Sequence, residues 1–516
     1  MGLKDKISER GKQILLSPTV MRWVSDDRVM KAAEGLMDAP SRMKAAWSVL
    51  KNGHDLPAID PAVDESMGEV DAAHEPAPRT KKANGSAAHE PAPTARSLGS
   101  EDMKESLKER SSLSGIGGRD VFEKAYKFSA ADNARKMGIY PFFRPLDLND
   151  GPEAVIDGKR VVMFGSNNYL GLTTHPKVRE AAKAAIDRFG TSMTGSRLVN
   201  GSMKLHEEFE DKLAAWFGKE SALVFTTGYQ VNIATCSALL SNKKSVAVID
   251  RNVHASLYDG VRLGQSAGAR LVRYRHNDAE SLDKALEKVD AGEGALVVTD
   301  GVFSAEGEIA KLDELVPVVK KHGARLFVDD AHALGVIGPS GRGTAHHFGL
   351  SDQVDLMGGT FSKSLASIGG WLVGERKVLD YIRHFAPSFL FAAAAAPPNV
   401  AAAMAAFELM NEESWRIDKL RQNFEYMRDG LRSLGFDLGH TQTSVIPIYI
   451  REDLRTIMMW RDLLEEYGIY TNPFISPGVP PKHAMLRTSY MATHEKAHLD
   501  RGLEAFEKVG KKYGVI

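Results

Sequence analysis

Lys363 is the residue whose neighbours point most directly to chemistry. It lies in residues 359–364, with the sequence Gly-Thr-Phe-Ser-Lys-Ser, after a strand predicted over residues 354–357. A lysine amine in an apolar pocket loses part of its protonation and becomes a nucleophile toward aldehydes. The hydroxyls of Thr360 and Ser362 can bind a phosphate group beside it. The segment therefore predicts a lysine that forms a Schiff base with a phosphorylated aldehyde, which is the chemistry of pyridoxal phosphate.

A carboxylate and an imidazole follow a predicted buried strand upstream of this lysine. Asp329 comes directly after the apolar residues 326–328, and His332 lies three residues further on. A buried carboxylate needs a cation, and a protonated pyridine nitrogen supplies one and becomes an electron sink. Taken alone, Asp329 fits a helix cap or a turn equally well, and His332 fits a structural histidine. Together with Lys363, they predict the stabilisation of a carbanion on an amino acid.

Three weaker signals lie near other predicted strand ends. Residues 226–232 join a strand to a helix, and free N–H groups around Gly228 and Tyr229 can attract phosphate. His254 can stack on a pyridine ring, and Arg487 can bind a carboxylate with two hydrogen bonds. Each of these is ambiguous alone, but their order along the chain is far more specific than any one of them.

The elements that must position these residues begin at about residue 118, where strand-like and helix-like patterns alternate. A helix is predicted from Pro176 to Gly190 with Ile186 on its apolar face, and another over residues 312–321. The predicted buried strands are residues 222–225, 246–249, 296–299 and 326–328. This pattern predicts an α/β fold with a mainly parallel central sheet, whose ligands bind at the carboxyl ends of the strands. After about residue 400, helices with strands at 445–450 and 485–489 predict a smaller C-terminal α+β domain.

The chain is therefore divided into five predicted parts. They are a helical extension at 1–50, a disordered Pro/Ala-rich linker at 51–117, an N-terminal segment of the catalytic unit at 118–175, a large cofactor-binding domain at 176–400 and a small domain at 401–516. The extension is interpreted as a helical hairpin, and docking to a membrane surface is the alternative.

Composition excludes several classes of partner. The formal charge of −1 and the pI near 7.0 give no electrostatic footprint for nucleic acid. A single cysteine, Cys236, excludes a disulfide within the chain and fits a reducing cytoplasm, with peripheral contact at the inner membrane face as a further expectation. Cys236 follows Thr235 in an apolar stretch and is interpreted as a core residue.

The order of motifs resembles that of the α-oxoamine synthases, which are fold-type I pyridoxal phosphate enzymes. The resemblance covers residues 118–516, and its motifs are residues 164–172, 195–197, 227–229, 300–304, 328–332, 359–364 and 486–489. Within the family, residues 140–144 and 363–370 are most similar to the bacterial serine palmitoyltransferases. The resemblance implies the aspartate aminotransferase-like fold, with the N-terminal 117 residues outside the match.

The resemblance also implies residue roles. Lys363 would bind the cofactor covalently and then act as acid and base, while Asp329 contacts the pyridine nitrogen and His332 the phenolic oxygen. The implied catalytic residues are Lys363, His254, Asp329 and His332. The implied cofactor-binding residues are Gly228, Tyr229, His254, Asp329, His332, Thr360, Ser362 and Lys363. The implied residues around the substrate carboxylate are Asn167, Ser304 and Arg487, and no metal is implied.

The implied reaction is a decarboxylative condensation of L-serine with a long-chain acyl thioester, giving a 3-keto long-chain base for sphingolipid synthesis. The acyl group would be carried by coenzyme A or by acyl carrier protein, and the family's homodimers have their active sites at the subunit interface. A related synthase using glycine or alanine, and a partner subunit without catalytic activity, stay open. One departure is Ile475, which stands where many relatives have an arginine, so a second carboxylate or thioester contact is absent or supplied elsewhere.

Overall fold

The computed structural model describes residues 120–516, and its first elements are two short helices and an antiparallel run of three strands. They are α1 Glu123–Tyr126, α2 Ala130–Lys136, β1 Leu148–Asp150, β2 Glu153–Ile156 and β3 Lys159–Met163. The last three residues of β3 are buried, so this segment contributes to a hydrophobic core. The predictions for residues 1–50 and 51–117 lie outside the described residues.

Helices and strands alternate through the large domain, as the pattern predicts. Its first elements are α3 Pro176–Phe189, α4 Lys204–Phe217, β4 Ser221–Phe225, α5 Gly228–Leu239, β5 Ser245–Asp250, α6 Ala255–Ser266, β6 Arg270–Tyr274, α7 Ala279–Leu286 and β7 Gly294–Asp300. They are followed by α8 Leu312–Lys321, β8 Arg325–Asp329, α9 Thr344–His347, β9 Leu356–Thr360, β10 Gly370–Gly374, α10 Arg376–Phe385, α11 Pro387–Leu390 and α12 Pro397–Glu412.

One seven-stranded sheet joins the strands of this domain in the order β4-β10-β9-β8-β7-β5-β6. The strands from β9 to β6 run parallel, and β10 is antiparallel to both of its neighbours. All six residues of β5 are buried, because a parallel sheet is covered on both faces. The predicted mainly parallel sheet is confirmed, and β6 and β10 are strands that the sequence pattern missed.

The register of three central strands decides where the site can form. Asp300 pairs with Asp329 across β7 and β8, and Asp329 pairs with Gly358 across β8 and β9. The carboxyl ends of these parallel strands therefore meet at one edge of the sheet, and the side chains that follow them converge there.

The C-terminal part is a smaller α+β domain, as predicted. Its elements are α13 Trp415–Ser433, β11 Val445–Tyr449, α14 Asp453–Tyr467, β12 Ile469–Tyr470, β13 Asn472–Phe474, β14 Met485–Ser489 and α15 Lys496–Lys512. One sheet has the order β11-β14-β13, and β12 adds a parallel strand to β3. Phe164 packs into the same core as Trp460 and Phe506, so residues 153–164 share the hydrophobic core of the C-terminal elements.

The predicted apolar face of α3 is wrong at one position. Val178 and Ala185 are buried, but Ile186 is 40% exposed, because the buried stripe of this helix is narrower than its apolar pattern. The helix ends as predicted at Gly190, whose φ of 75° favours glycine. None of the helices in residues 120–516 combines the length and the apolar character needed to cross a bilayer.

Candidate active site

A cavity of about 310 Å³ lies where β7, β8 and β9 end and α5 begins. All eight residues predicted to bind the cofactor line it, and so does Ser304. The complete set of lining residues is Thr227, Gly228, Tyr229, Asn232, His254, Ser256, Asp300, Val302, Ser304, Asp329, Ala331, His332, Thr360, Ser362, Lys363, Ile368 and Gly369. The fold therefore brings together residues that lie as far apart as 227 and 369 in the sequence.

Lys363 lies in a tight loop that follows β9. The backbone N–H of Ala366 donates to the carbonyl of Lys363, and Phe361 anchors the loop in the core. Burial lowers the pKa of the Lys363 amine to about 8, although Asp329 acts in the opposite direction. The amine makes no hydrogen bond or ion pair with the described part of the chain, so it is free to react with a bound aldehyde.

Asp329, the last residue of β8, is a buried carboxylate held by two donors. Its Oδ1 accepts from the backbone N–H of Ala331 at 2.9 Å, and its Oδ2 accepts from Nδ2 of Asn232 at 2.6 Å. Within residues 120–516 no cationic side chain forms an ion pair with it. A buried anion in this position fits a protonated pyridine nitrogen, which would supply the missing positive charge.

Asp300 is a second buried carboxylate that sequence reasoning did not single out. Its two oxygens both lie 3.2 Å from the backbone nitrogen of His254, which donates to them. Burial, and then the neighbouring Asp329, raise the pKa of Asp300 well above its usual value. The strand-end position in residues 300–304 was a usable signal, because a carboxylate there must lie beside Asp329 in a parallel sheet.

The start of α5 provides a cradle for a phosphate group. Thr227 caps this helix through a hydrogen bond from the N–H of Gln230, and the N–H groups of Gly228 and Tyr229 have no partner in the described residues. A Cβ atom on Gly228 would lie 2.5 Å from Cβ of Thr360, so only glycine permits this approach. The hydroxyls of Thr360 and Ser362 lie 2.8 Å apart beside it. Backbone donors, hydroxyls and a helix N-terminus together fit a phosphate.

Two histidines face the cavity, and burial keeps both neutral. His254 is the N-cap of α6, and burial lowers its pKa. His332 lies with Nδ1 2.6 Å from the hydroxyl of Tyr169, and burial, followed by Lys363, lowers its pKa well below the usual value. Neutral imidazoles suit stacking and hydrogen bonding to a cofactor, and the specific roles predicted for these two residues stay predictions.

The three residues predicted to surround a substrate carboxylate form one hydrogen-bonded group. Arg487 on β14 donates through Nε to the carbonyl of Ser304 at 3.1 Å and through Nη1 to Oδ1 of Asn167 at 2.8 Å. Its Nη2 lies 3.4 Å from the Tyr169 hydroxyl. Ser304 lines the cavity, whereas Asn167 and Arg487 are not among its lining residues, so their contact with a carboxylate stays a prediction.

Two further residues of the site were missed from the sequence, although both lie in motifs that attracted attention. Asn232 is one helical turn after Gly228 on α5, and Ser256 is two residues after His254 on α6. The i, i+4 spacing of Gly228 and Asn232 was the usable signal, because it places both on the face of α5 that begins at the phosphate cradle.

Ile475, the departure from the family pattern, is buried in an apolar cluster with Ile139, Ile457 and Ala484.

Comparison with known proteins agrees with this geometry. Residues 159–506, which include every residue of the cavity, match the family model of class I and II aminotransferases. A serine palmitoyltransferase of Sphingobacterium spiritivorum is 42% identical over 390 residues, which cover 76% of this chain and 96% of that protein. An 8-amino-7-oxononanoate synthase of Thermoanaerobacter pseudethanolicus is 40% identical over 386 residues, which cover 75% and 96%.

A solved structure is similar over the same region. It is a serine palmitoyltransferase variant from S. paucimobilis with bound PLP and myriocin, 35% identical, with a TM-score of 0.74. The match covers 77% of this chain and 100% of that one. Together with the family match, this similarity indicates that the cofactor is pyridoxal phosphate.

Proposed function

The chain belongs to the aminotransferase class I and II family and to its α-oxoamine synthase branch, and from this we propose that it condenses L-serine with a long-chain acyl thioester. The products would be a 3-keto long-chain base, carbon dioxide and the free thiol. One carbon–carbon bond forms, while the serine carboxylate and the thioester bond are lost. The observation that carries the proposal is one cavity that holds both the reactive Lys363 amine and the Asp329 carboxylate, which has no ion-pair partner within residues 120–516.

The cofactor is pyridoxal phosphate, which supplies a protonated ring that accepts electron density from the Cα atom of a bound amino acid. Asp329 would hold the ring nitrogen in its protonated state. The α5 N-terminus, with Thr360 and Ser362, would bind the phosphate. Together these residues would hold the cofactor in one orientation, with the reacting carbon toward Lys363.

Lys363 would move the proton of the reaction. Its pKa of about 8 leaves a substantial neutral fraction near neutral pH, so Nζ can take the Cα proton of serine and return it later. Asp329 provides negative charge nearby, which stabilises the ammonium that forms when Nζ takes the proton. Because the site is a cavity rather than a flat surface, much of the surrounding water is excluded from this transfer.

Serine is the proposed amino acid because two serine palmitoyltransferases are each 42% identical to this chain over about three quarters of its length. The alternative is glycine or alanine with a different thioester, and the 40% identical 8-amino-7-oxononanoate synthase supports keeping it. A partner subunit without catalytic activity is disfavoured by the presence of Lys363. A colourless purified protein that does not bind the cofactor would support that subunit instead.

We also propose a homodimer, which is supported by exposed apolar side chains on the loops that contain residues 196–199 and 391–393 and on a residue of the cavity lining. Leu198, Val199 and Phe391 are 47%, 71% and 71% exposed, and Ile368, which lines the cavity, is 53% exposed. A bridge between Ser196 and Ala393 holds the two loops together. Exposed apolar groups concentrated in this way are typical of protein interfaces.

The cytoplasm is the proposed location, supported by the single Cys236, which is buried and unoxidised. The proposed peripheral membrane contact depends on residues 1–50, which lie outside the described residues. Deleting residues 1–117 and comparing sedimentation with anionic vesicles tests that contact, and unchanged sedimentation would refute it.

A substrate screen tests the proposed reaction. The purified holoenzyme is incubated with palmitoyl-CoA and serine, glycine or alanine in turn, and the products are identified by mass spectrometry. We expect a 3-keto long-chain base with serine and at least about tenfold less product with the other two. The Lys363→Ala variant should abolish turnover and keep its melting temperature near that of the wild type. Turnover of glycine without turnover of serine would refute the choice of substrate.

A further inference from the structure

A chain of hydrogen bonds runs along the wall of the cavity from the carboxylate of Asp329 to the imidazole of His254. Nδ2 of Asn232 lies 2.6 Å from Oδ2 of Asp329 and 2.8 Å from Oγ of Ser256. Oγ of Ser256 lies 2.7 Å from Nδ1 of His254. Asn232 is 3% exposed and Ser256 is fully buried, so water does not compete for these bonds. The chain links three elements of the fold, namely α5, β8 and the start of α6.

The chemistry of the end groups fixes the direction of every bond. An ionised carboxylate only accepts, so Asn232 must present its amide nitrogen to Asp329. The same nitrogen donates to Ser256, and the amide oxygen of Asn232 is left without a partner in the described residues. Since Oγ of Ser256 accepts from Asn232, its single proton is free to be donated to Nδ1 of His254.

Nδ1 of His254 is an acceptor because the backbone N–H of Ser256, which can only donate, is directed at it, and this determines the tautomer of the ring. This bond is 3.3 Å long, and the Ser256 hydroxyl is the second donor. Two donors directed at one nitrogen exclude a proton on it, so neutral His254 carries its proton on Nε2. Protonation at Nδ1 would break both bonds, which agrees with the lowered pKa of His254, whose largest cause is burial.

We propose that Asn232 and Ser256 are positioning residues that hold the Asp329 carboxylate and the neutral, Nε2-protonated form of His254 in one fixed arrangement. Asn232 sets the orientation of the carboxylate that meets the ring nitrogen. Ser256 sets the tautomer and the plane of the imidazole beside it. This inference rests on the proposed function only in that the cavity binds pyridoxal phosphate and an amino acid.

Other charged or titratable groups also face His254, and the pH dependence must be interpreted with them. Three of them are on strands or on the loop after β9: Asp300 on β7, Asp329 on β8 and Lys363 after β9. The others are His332 after β8, Tyr229 on α5 and Asp259 on α6. Asp329 and Asp259 raise the pKa of His254, while Lys363 lowers it. Within residues 120–516, only Ser256 bonds a ring nitrogen of His254 through its side chain, so its removal isolates the contribution of the hydrogen-bond chain.

The test uses Ser256→Ala, Asn232→Ala and the double variant, each as holoenzyme. Binding of the amino acid identified by the substrate screen is followed through the absorbance of the cofactor as a function of pH. Ser256→Ala removes a donor to the Nδ1 lone pair, which raises the pKa of His254. We therefore expect the acid limb, which is the loss of amino-acid binding as the pH falls, to shift to higher pH by about half a unit or more. Ser256→Thr keeps a hydroxyl and should return the limb to its wild-type position.

Cofactor affinity provides a second readout that needs neither an amino acid nor a thioester. Titration of the apoenzyme with pyridoxal phosphate should show about tenfold weaker binding for Asn232→Ala, because the Asp329 carboxylate loses one of its two donors. The fold loss of cofactor affinity in the double variant should be smaller than the product of the two single losses, since both substitutions act through one chain of hydrogen bonds. Failure of the acyl condensation would leave both readouts unaffected, so the two proposals can fail separately.

Ser237→Ala is the matched control, because Ser237 is on the same helix and its buried hydroxyl has no partner in the described residues. It should leave the pH limb and cofactor affinity unchanged. An acid limb that stays in place in Ser256→Ala, or single effects that multiply in the double variant, would overturn the proposal. Melting temperatures near that of the wild type establish that each variant is folded.

Discussion

The amine of Lys363 derives its reactivity from burial rather than from a neighbouring base. Removing water from around the side chain disfavours its ammonium form, and the pKa falls from 10.5 to about 8. Asp329 opposes this shift but does not cancel it. The balance between burial and Asp329 leaves part of the amine neutral at physiological pH, so that it can both take and give a proton.

Uptake of pyridoxal phosphate by the apoenzyme should accelerate with pH and level off above about 8. At pH 7.5 roughly a quarter of the Lys363 amines would be neutral, compared with about 0.1% for an unperturbed lysine. Because the pKa is lowered, the reactive form is present above about pH 8 and is lost as the pH falls through that value. Rapid-mixing absorbance measurements between about pH 6.5 and 9.5 follow this rate.

Lys363→Ala is the control for this profile, since it binds the cofactor without covalent attachment and should show no such rise. Lys284→Ala, which removes an exposed lysine paired with Glu280, should behave like the wild type. A rate that keeps rising to the upper end of this pH range, as an unperturbed lysine predicts, would show that Lys363 is not desolvated.

At the residue scale, the sequence allowed site residues to be predicted where the chemistry requires residue types that are unusual at their positions. It did not reveal site residues whose types are common at their positions. Lys363, Asp329 and His332 stand out because a buried cation, anion and imidazole are rare near strand ends. Asn232 and Ser256 do not, because a polar residue early in a helix is common. The Asn232 side chain meets Asp329 across 97 positions, and only folding reveals that contact.

At the scale of elements, the site depends on how closely α5 approaches β9. The first residue of α5 packs against the last residue of β9, with Gly228 against Thr360. This contact brings the free N–H groups of the helix start within reach of the Thr360 and Ser362 hydroxyls. The phosphate cradle therefore needs both elements, because α5 supplies the N–H groups and the end of β9 supplies the hydroxyls.

Gly228→Ala should disrupt this contact. Its new Cβ atom would meet Cβ of Thr360 at 2.5 Å and its Oγ1 at 2.9 Å, so the helix start must move away. We expect cofactor affinity to fall about tenfold or more and the melting temperature to decrease. Equilibrium titration of the apoenzyme and thermal unfolding measure the two effects.

Gly294→Ala is the matched control for this variant, because its added Cβ would come no closer than 4.0 Å to the carbonyl of Lys244. It should preserve cofactor affinity. Equal losses of affinity in both variants would mean that the effect of Gly228→Ala is general destabilisation rather than displacement of α5.

The elements were predicted well where burial gives continuous apolar runs, as in β5, β7 and β8. β6 was missed because it is an edge strand whose arginines interrupt the apolar pattern. β10, with the sequence Gly-Trp-Leu-Val-Gly, carries glycines at both ends that weaken a strand signal. β9 is shifted relative to its prediction and ends at Thr360, since Gly358 and Gly359 lack apolar side chains but pair in the sheet.

At the scale of the whole molecule, the proposed dimer predicts that an exposed aromatic residue is important for activity. Phe391→Glu places a charge in the exposed apolar group near Leu198 and Val199. We expect the dimer dissociation constant to rise at least about tenfold and turnover to fall with it. Analytical ultracentrifugation and the product assay, run at the same protein concentrations, measure both.

Trp415→Glu is the control, because Trp415 is 51% exposed but lies at the start of α13, outside these loops. It should leave association unchanged. A Phe391→Glu protein that stays dimeric would show that the exposed loops are not the interface. A monomer with full turnover would show that the active site does not need a second subunit.

The parallel pairing of β3 with β12 has a consequence for biosynthesis. The Asn472 side chain bonds the carbonyl of Gly165 across 307 positions, so the partner of this early segment leaves the ribosome long after it. At about 5–20 residues per second, the delay is roughly 15–60 seconds. During that time the apolar residues around Phe164 are exposed, because the C-terminal elements that bury them have not yet been synthesised. We therefore expect chaperones that act during translation to bind the nascent chain.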